Sequence, residues 1–139
     1  MPAIKAVGLT RKFDELTAVD NLNLQIEAGE IFGLVGPDGA GKTTTMRLLT
    51  GILDPTAGDA WVDDKHIVKQ AEQLKENIGY MSQRFGLYED LTVGENIDFY
   101  ADVYCVPRKQ RAAKIDELLG FSGLLPFKTR LAGNLSGGM

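Results

Sequence analysis

Residues 36–43 read Gly36, Pro37, Asp38, Gly39, Ala40, Gly41, Lys42 and Thr43. Glycines at this spacing before a lysine and a threonine suit one chemistry, the cradling of a polyphosphate. The glycines let the backbone curl so that successive N–H groups turn toward phosphate oxygens. A helix begun at Lys42 would aim its positive N-terminal end at the same anion. Lys42 would bring a mobile positive charge to the β- and γ-phosphates, Thr43 a hydroxyl to Mg²⁺, and Thr44 a donor to the α-phosphate. At average composition the pattern arises by chance in well under about one chain in a hundred of this length. The bland alternative is a glycine-rich turn with an incidental lysine. A strand before the loop and a helix after it decide for phosphate binding, and the sequence predicts both.

The predicted strand is residues 31–35, nearly all apolar, as a strand covered on both faces should be. The predicted helix is residues 42–50, with Met46, Leu48 and Leu49 apolar and Gly51 at its end. Around this unit, residues 4–9 predict a strand, and the alternation across residues 22–26 predicts a half-buried one. Residues 54–58 are a turn by composition. Residues 60–62 predict a short strand, Asp63 and Asp64 a hairpin turn, residues 71–77 a helix and residues 78–81 a further strand. Thr92 and Glu95 match a capping box, and Val93, Ile97, Tyr100, Ala101 and Tyr104 follow at helical spacing. Pro107 ends that helix. Residues 108–119 predict another, with Ala112, Ile115, Leu118 and Leu119 on one face. Alternating strands and helices favour an α/β fold with parallel pairing at its centre.

The 139 residues suffice for one domain with a real core. A net charge of −4 offers no basic excess for a phosphate backbone, so no nucleic-acid partner is expected. One cysteine, Cys105, excludes a disulfide within the chain and favours a reducing compartment. Cys105 reads as a small buried hydrophobe, and His66, the only histidine, as a solvated turn residue. No run of about 18 apolar residues is present to span a bilayer, and the start lacks a signal peptide's apolar stretch. A cytoplasmic location is expected, with any membrane association made through a partner.

The phosphate loop, a glutamine (Gln83) just after the apolar residues 78–81, and the closing run Leu135, Ser136, Gly137, Gly138 stand in an order and spacing that resemble the nucleotide-binding domain of ABC transporters. Residues 85–93 look more narrowly like ABC-2-type exporters of the drug-resistance class. The resemblance covers the whole chain. It implies a P-loop NTPase fold of ABC ATPase type, with an N-terminal antiparallel β part, a P-loop strand–helix core and a helical subdomain. Residues from about 1 to 83 would form the β part and P-loop core, and from about 84 to 139 the Q-loop and helical subdomain, a single partial domain truncated before the Walker B strand.

The resemblance further implies ATP and Mg²⁺ as ligands, with Phe13 stacking on the adenine against a bland reading as a core phenylalanine. It implies that Gln83 touches Mg²⁺ and the attacking water, as a catalytic residue beside Lys42. Ser136, Gly137 and Gly138 would hold the γ-phosphate of ATP bound to a second nucleotide-binding subunit, in trans across a dimer. A transmembrane permease subunit is the other implied partner. Phe85, Leu87 and Tyr88 are candidates for its docking surface, with local core packing as the even alternative. Through that permease the chain would sit on the cytoplasmic face of the membrane.

Two positions depart from the family. Asp38 stands where Asn is common, and Met139 where Gln often is. The Walker B aspartate and glutamate and the switch histidine are not among these residues. The expectation is that a longer parent hydrolyses ATP to drive export, while this chain alone, as a fragment, binds without competent hydrolysis. The missing Walker B strand would also leave residues 31–35 an unpaired apolar edge. Two alternatives stay open: a non-catalytic nucleotide-binding module, and an ABC protein with no membrane partner. No guanine-specifying N-K-x-D motif occurs to support a GTPase.

Overall fold

The computed structural model describes residues 2–82 and 86–136. It forms two compact units, Met1–Tyr80 and Met81–Met139.

The first unit is built on four strands, β1 (Ile4–Phe13), β2 (Leu16–Ile26), β3 (Ala57–Val62) and β4 (Lys65–His66), in the order β2-β1-β3-β4. All three pairings are antiparallel. Asp63 and Asp64 both have positive φ, 49° and 58°, as a two-residue hairpin turn requires. β1 and β2 join through a similarly tight turn at Asp14, φ 46°. Leu9, Ala60, Val62 and Ile67 bury one face of the sheet, and Leu48 and Leu49 close over it from helix α1 (Lys42–Leu49). Leu9 and Leu48 are fully buried, each contributing about 2 kcal/mol. α2 (Ala71–Lys75) adds Leu74 to the same core. α1 therefore lies in the crossover between β2 and β3, its apolar face fixed by the sheet.

Two predicted strands are absent, and with them the parallel centre. Among the described residues, neither 31–35 nor 78–81 pairs into a sheet. Ile31 is fully exposed and Val35 94% exposed. Their apolar character was legible, but a strand exists only with a neighbour to take its N–H and C=O groups, and parallel strands need cover on both faces. The described residues supply neither. His66 is buried rather than solvated: its Nε2 lies 2.9 Å from Asp59 Oδ1, and its Nδ1 accepts from the N–H groups of Val68 and Lys69. Cys105 is exposed, not buried. It falls just beyond the helix end in a left-handed conformation, φ 54°.

The second unit centres on α3 (Val93–Val103) and α4 (Arg108–Phe121). Val93, Ile115 and Leu119 form its core. Leu118 and Ala112, expected on the same face, are exposed. The capping box forms in full: Thr92 Oγ1 accepts from the N–H of Glu95, and the Glu95 carboxylate accepts from the N–H of Thr92. The N–H of Thr92, then its hydroxyl, holds the Glu95 carboxyl below the usual carboxylate range. A depressed pKa means this cap is complete above the ordinary glutamate range and is lost as pH falls through the lower folded value. Asp102 is likewise held low, by a hydrogen bond from Arg111 and then by its charge. Asn96, 1% exposed, ties down the loop ahead of α3: its side chain accepts from the N–H of Tyr88 and donates to the carbonyls of Tyr88, Leu91 and Thr92.

Candidate phosphate site

Residues 36–41 enter α1 through a series of special backbone angles. Gly39 has φ +79° and Gly41 φ +83°, a region that side-chain-bearing residues avoid. Gly41 is the N-cap of α1, and its carbonyl accepts the first helical bond, from Thr45 N–H at 2.8 Å. Thr45 Oγ1 donates to the same carbonyl at 3.0 Å. The N–H groups of Lys42, Thr43 and Thr44 occupy the first turn, where a helix offers them no partner of its own. They are the donors an anion would meet, with the helix dipole behind them.

The close approach at Gly41 explains the glycine. A Cβ there would stand 2.1 Å from the carbonyl oxygen of Ala18 on β2. The start of α1 is thus pressed against β2 with no room for a side chain. A cavity of about 230 Å³ opens beside it, lined by Val19, Asp20, Leu34, Val35, Lys42 and Thr45. Lys42 Nζ donates to the carbonyls of Gly36 and Pro37, at 2.7 and 2.6 Å. Its charge is held over its own loop. Among the described residues it makes no ion pair with Asp38, which is exposed. Asp38 thus does not compete with an anion for the lysine, whose Nζ rests on two loop carbonyls. A glycine cradle, first-turn donors and a tethered ammonium fit a phosphate. Thr43, half-buried in that turn, is the side chain that would reach a phosphate-bound Mg²⁺, and that ion would supply charge neutralisation.

Phe13 lies at the tip of the β1–β2 hairpin, 40% exposed and opposite Leu16. It is not a core residue. Leu16 is two residues from Ala18, about 6.6 Å along a strand, and Ala18 abuts Gly41. One hairpin thus carries both an open aromatic ring and the wall of the phosphate loop. The sequence reading missed Arg11, whose guanidinium stands 4.5 Å over the Phe13 ring. Its i, i+2 spacing on a strand was the available signal.

In the second unit, Ser136 is exposed and directly follows Leu135, which packs on the Val93–Ile115–Leu119 core. The segment leading to it is strapped to the start of α3, with Val93 N–H donating to Arg130 O and Ala132 N–H to Leu91 O. Gln83, Phe85, Gly137 and Gly138 fall outside the described residues. Leu87 is half-buried, and Tyr88 is 49% exposed with its ring edge-on to Phe99 at 4.9 Å.

The loop leads into α1 at Lys42 with no strand at residues 31–35 before it, and its glycines, first-turn N–H groups and lysine are those of a P-loop fold. The family model described as ABC transporter matches residues 19–139, and the chain belongs to that family. It is 50% identical over 134 residues to the probable multidrug ABC transporter ATP-binding protein YbhF of Escherichia coli, covering 95% of this chain and 23% of that protein. It is 38% identical to the methionine import ATP-binding protein MetN of Carboxydothermus hydrogenoformans, covering 89% and 38%. The solved structure of cbiO1 from Clostridium perfringens, part of the ABC transporter complex cbiONQ, superposes with a TM-score of 0.81 at 26% identity, covering 99% of this chain and 57% of that one. The likeness bears out the ABC ATPase type of P-loop fold, with its antiparallel β part and helices. The chain thus spans well under two thirds of the length of these relatives. None of its described helices is long and apolar enough to cross a membrane.

Proposed function

We propose that this chain binds Mg²⁺-ATP at residues 36–44 as the nucleotide-binding part of an ABC exporter. The cradle at Gly39 and Gly41, closed against Ala18, is the observation that carries it. Gly36, Pro37, Asp38, Gly39, Ala40 and Gly41 form the loop, and Lys42 reaches the β- and γ-phosphates. Thr43 holds Mg²⁺, Thr44 the α-phosphate, and Phe13 the adenine. Gln83 senses the metal and the attacking water. Ser136, Gly137 and Gly138 complete a second copy's ATP in trans, so two nucleotide-binding subunits work as a dimer. Phe85, Leu87 and Tyr88 dock a transmembrane permease that brings the chain to the cytoplasmic face of the membrane. In the whole protein, hydrolysis at this site drives transport.

The 50% identity to a protein named for multidrug transport supports the export direction. The 38% and 35% identities to import ATP-binding proteins for methionine and for sulfate/thiosulfate support the opposite reading. Inside-out membrane vesicles holding the whole protein and its permease separate them. With ATP outside, an exporter accumulates a fluorescent drug in the lumen. Vesicles that hydrolyse ATP yet accumulate no member of a drug panel, and instead release a preloaded solute, would establish import.

A further inference from the structure

Phe13 is held from two directions, and only one of them is the backbone. Arg11 places its guanidinium 4.5 Å from the ring centroid, covering one face of the ring. Its Nη1 donates to the carbonyl of Asp54 at 2.9 Å. That carbonyl is itself fixed: Thr56 N–H donates to Thr10 O at 2.8 Å, and Thr56 Oγ1 accepts from Lys12 N–H at 3.0 Å. Residues 54–56 therefore grip β1 on both sides of Arg11. The same residues follow directly on α1, whose end is closed by Ile52 and Leu53 N–H groups donating to Arg47 O. A continuous set of contacts thus runs from the phosphate helix to the Phe13 ring.

We propose that Arg11 is a positioning residue for the nucleotide's base, holding Phe13 from behind so that the ring's open face takes a purine. This rests on the reading of Phe13 as the base platform. The guanidinium fixes the ring's tilt by a cation–π contact. It also draws π density toward itself, which makes the opposite face a better partner for an electron-rich purine. Because Arg11 is anchored on the loop after α1, the platform keeps its distance from Lys42.

The test measures affinity for Mg²⁺-ATP and for magnesium tripolyphosphate, which has no base. Wild type is set beside Arg11→Ala, Arg11→Lys, Phe13→Ala and the double alanine variant. Arg11→Ala is expected to weaken ATP about three-fold, with tripolyphosphate unchanged, and Arg11→Lys to recover part of the loss. Phe13→Ala is expected to weaken ATP about ten-fold, again with tripolyphosphate unchanged, and the second substitution adds nothing further. Unchanged tripolyphosphate affinity also shows that the variants fold. Equal losses for both ligands on Arg11→Ala, or an undiminished Arg11 effect without Phe13, would overturn the inference. No effect of Arg11→Ala while Phe13→Ala acts would overturn it alone. No effect of Phe13→Ala would overturn the platform reading and the inference together.

Discussion

Gly41→Ala is expected to abolish ATP binding and to destabilise the chain by about 3 kcal/mol. Two causes add. The residue sits at φ +83°, where an L side chain is strained. Its Cβ would also meet the Ala18 carbonyl oxygen at 2.1 Å. That oxygen belongs to the backbone of a paired strand and cannot rotate away, so α1 must retreat from β2. Retreat re-aims the first-turn N–H groups and moves Lys42. Gly39→Ala is the matched control: φ is +79°, but nothing lies within 4 Å of the added carbon. It should cost only the strain, about 1 kcal/mol. Urea unfolding followed by the single Trp61 measures both variants, and equal losses would mean that contact with Ala18 contributes nothing.

Gly58→Ala is expected to cost about 4 kcal/mol, enough to unfold much of the population. Gly58 lies inside β3 at φ +77°, opposite the bulged stretch of β1 between Val7 and Thr10. A Cβ there would stand 2.2 Å from Gly8 O and 2.7 Å from Leu9 N. All of these contacts are backbone, so β3 must leave β1. Ala60 and Val62 leave the core with it, and Leu9 loses its cover. Gly29→Ala provides the contrast, since that glycine has φ +80° with open space around it. If the two variants unfold at the same urea concentration, the close approach of β3 to β1 is not a constraint.

What could be read before the structure follows from the range of the interactions. The capping box at Thr92 and Glu95, the turn at Asp63 and Asp64, and the start of α1 at Lys42 are settled within a few residues, and each was legible. Residues 31–35 and 78–81 were legible as apolar and extended, but pairing is a non-local property. Neither segment pairs with a strand among the described residues. His66 looked solvated because its turn is polar, whereas Asp59, seven residues away across the β3–β4 hairpin, pins the ring. Cys105 failed the other way, since it lies two residues beyond the end of α3 at Val103. In the site, motif spacing named the loop and Lys42, and the family resemblance pointed to Phe13. It did not show Ala18 as the wall behind Gly41 or Arg11 behind Phe13, because both depend on how β1 and β2 meet neighbours distant in sequence.

The loop 36–43 is proposed to hold the phosphates of ATP. Calorimetric titration of Mg²⁺-ATP into the wild-type chain and into Lys42→Ala tests it most directly. Among the described residues the Lys42 ammonium bonds to exposed carbonyls of its own loop, so its loss is expected to leave the fold standing. The expected result is binding by the wild type with a Kd on the order of 0.1–1 mM, about 4–5.5 kcal/mol, and no measurable heat in the variant. The same heat and the same Kd in both would contradict the account, because the nucleotide would then be held somewhere other than this loop.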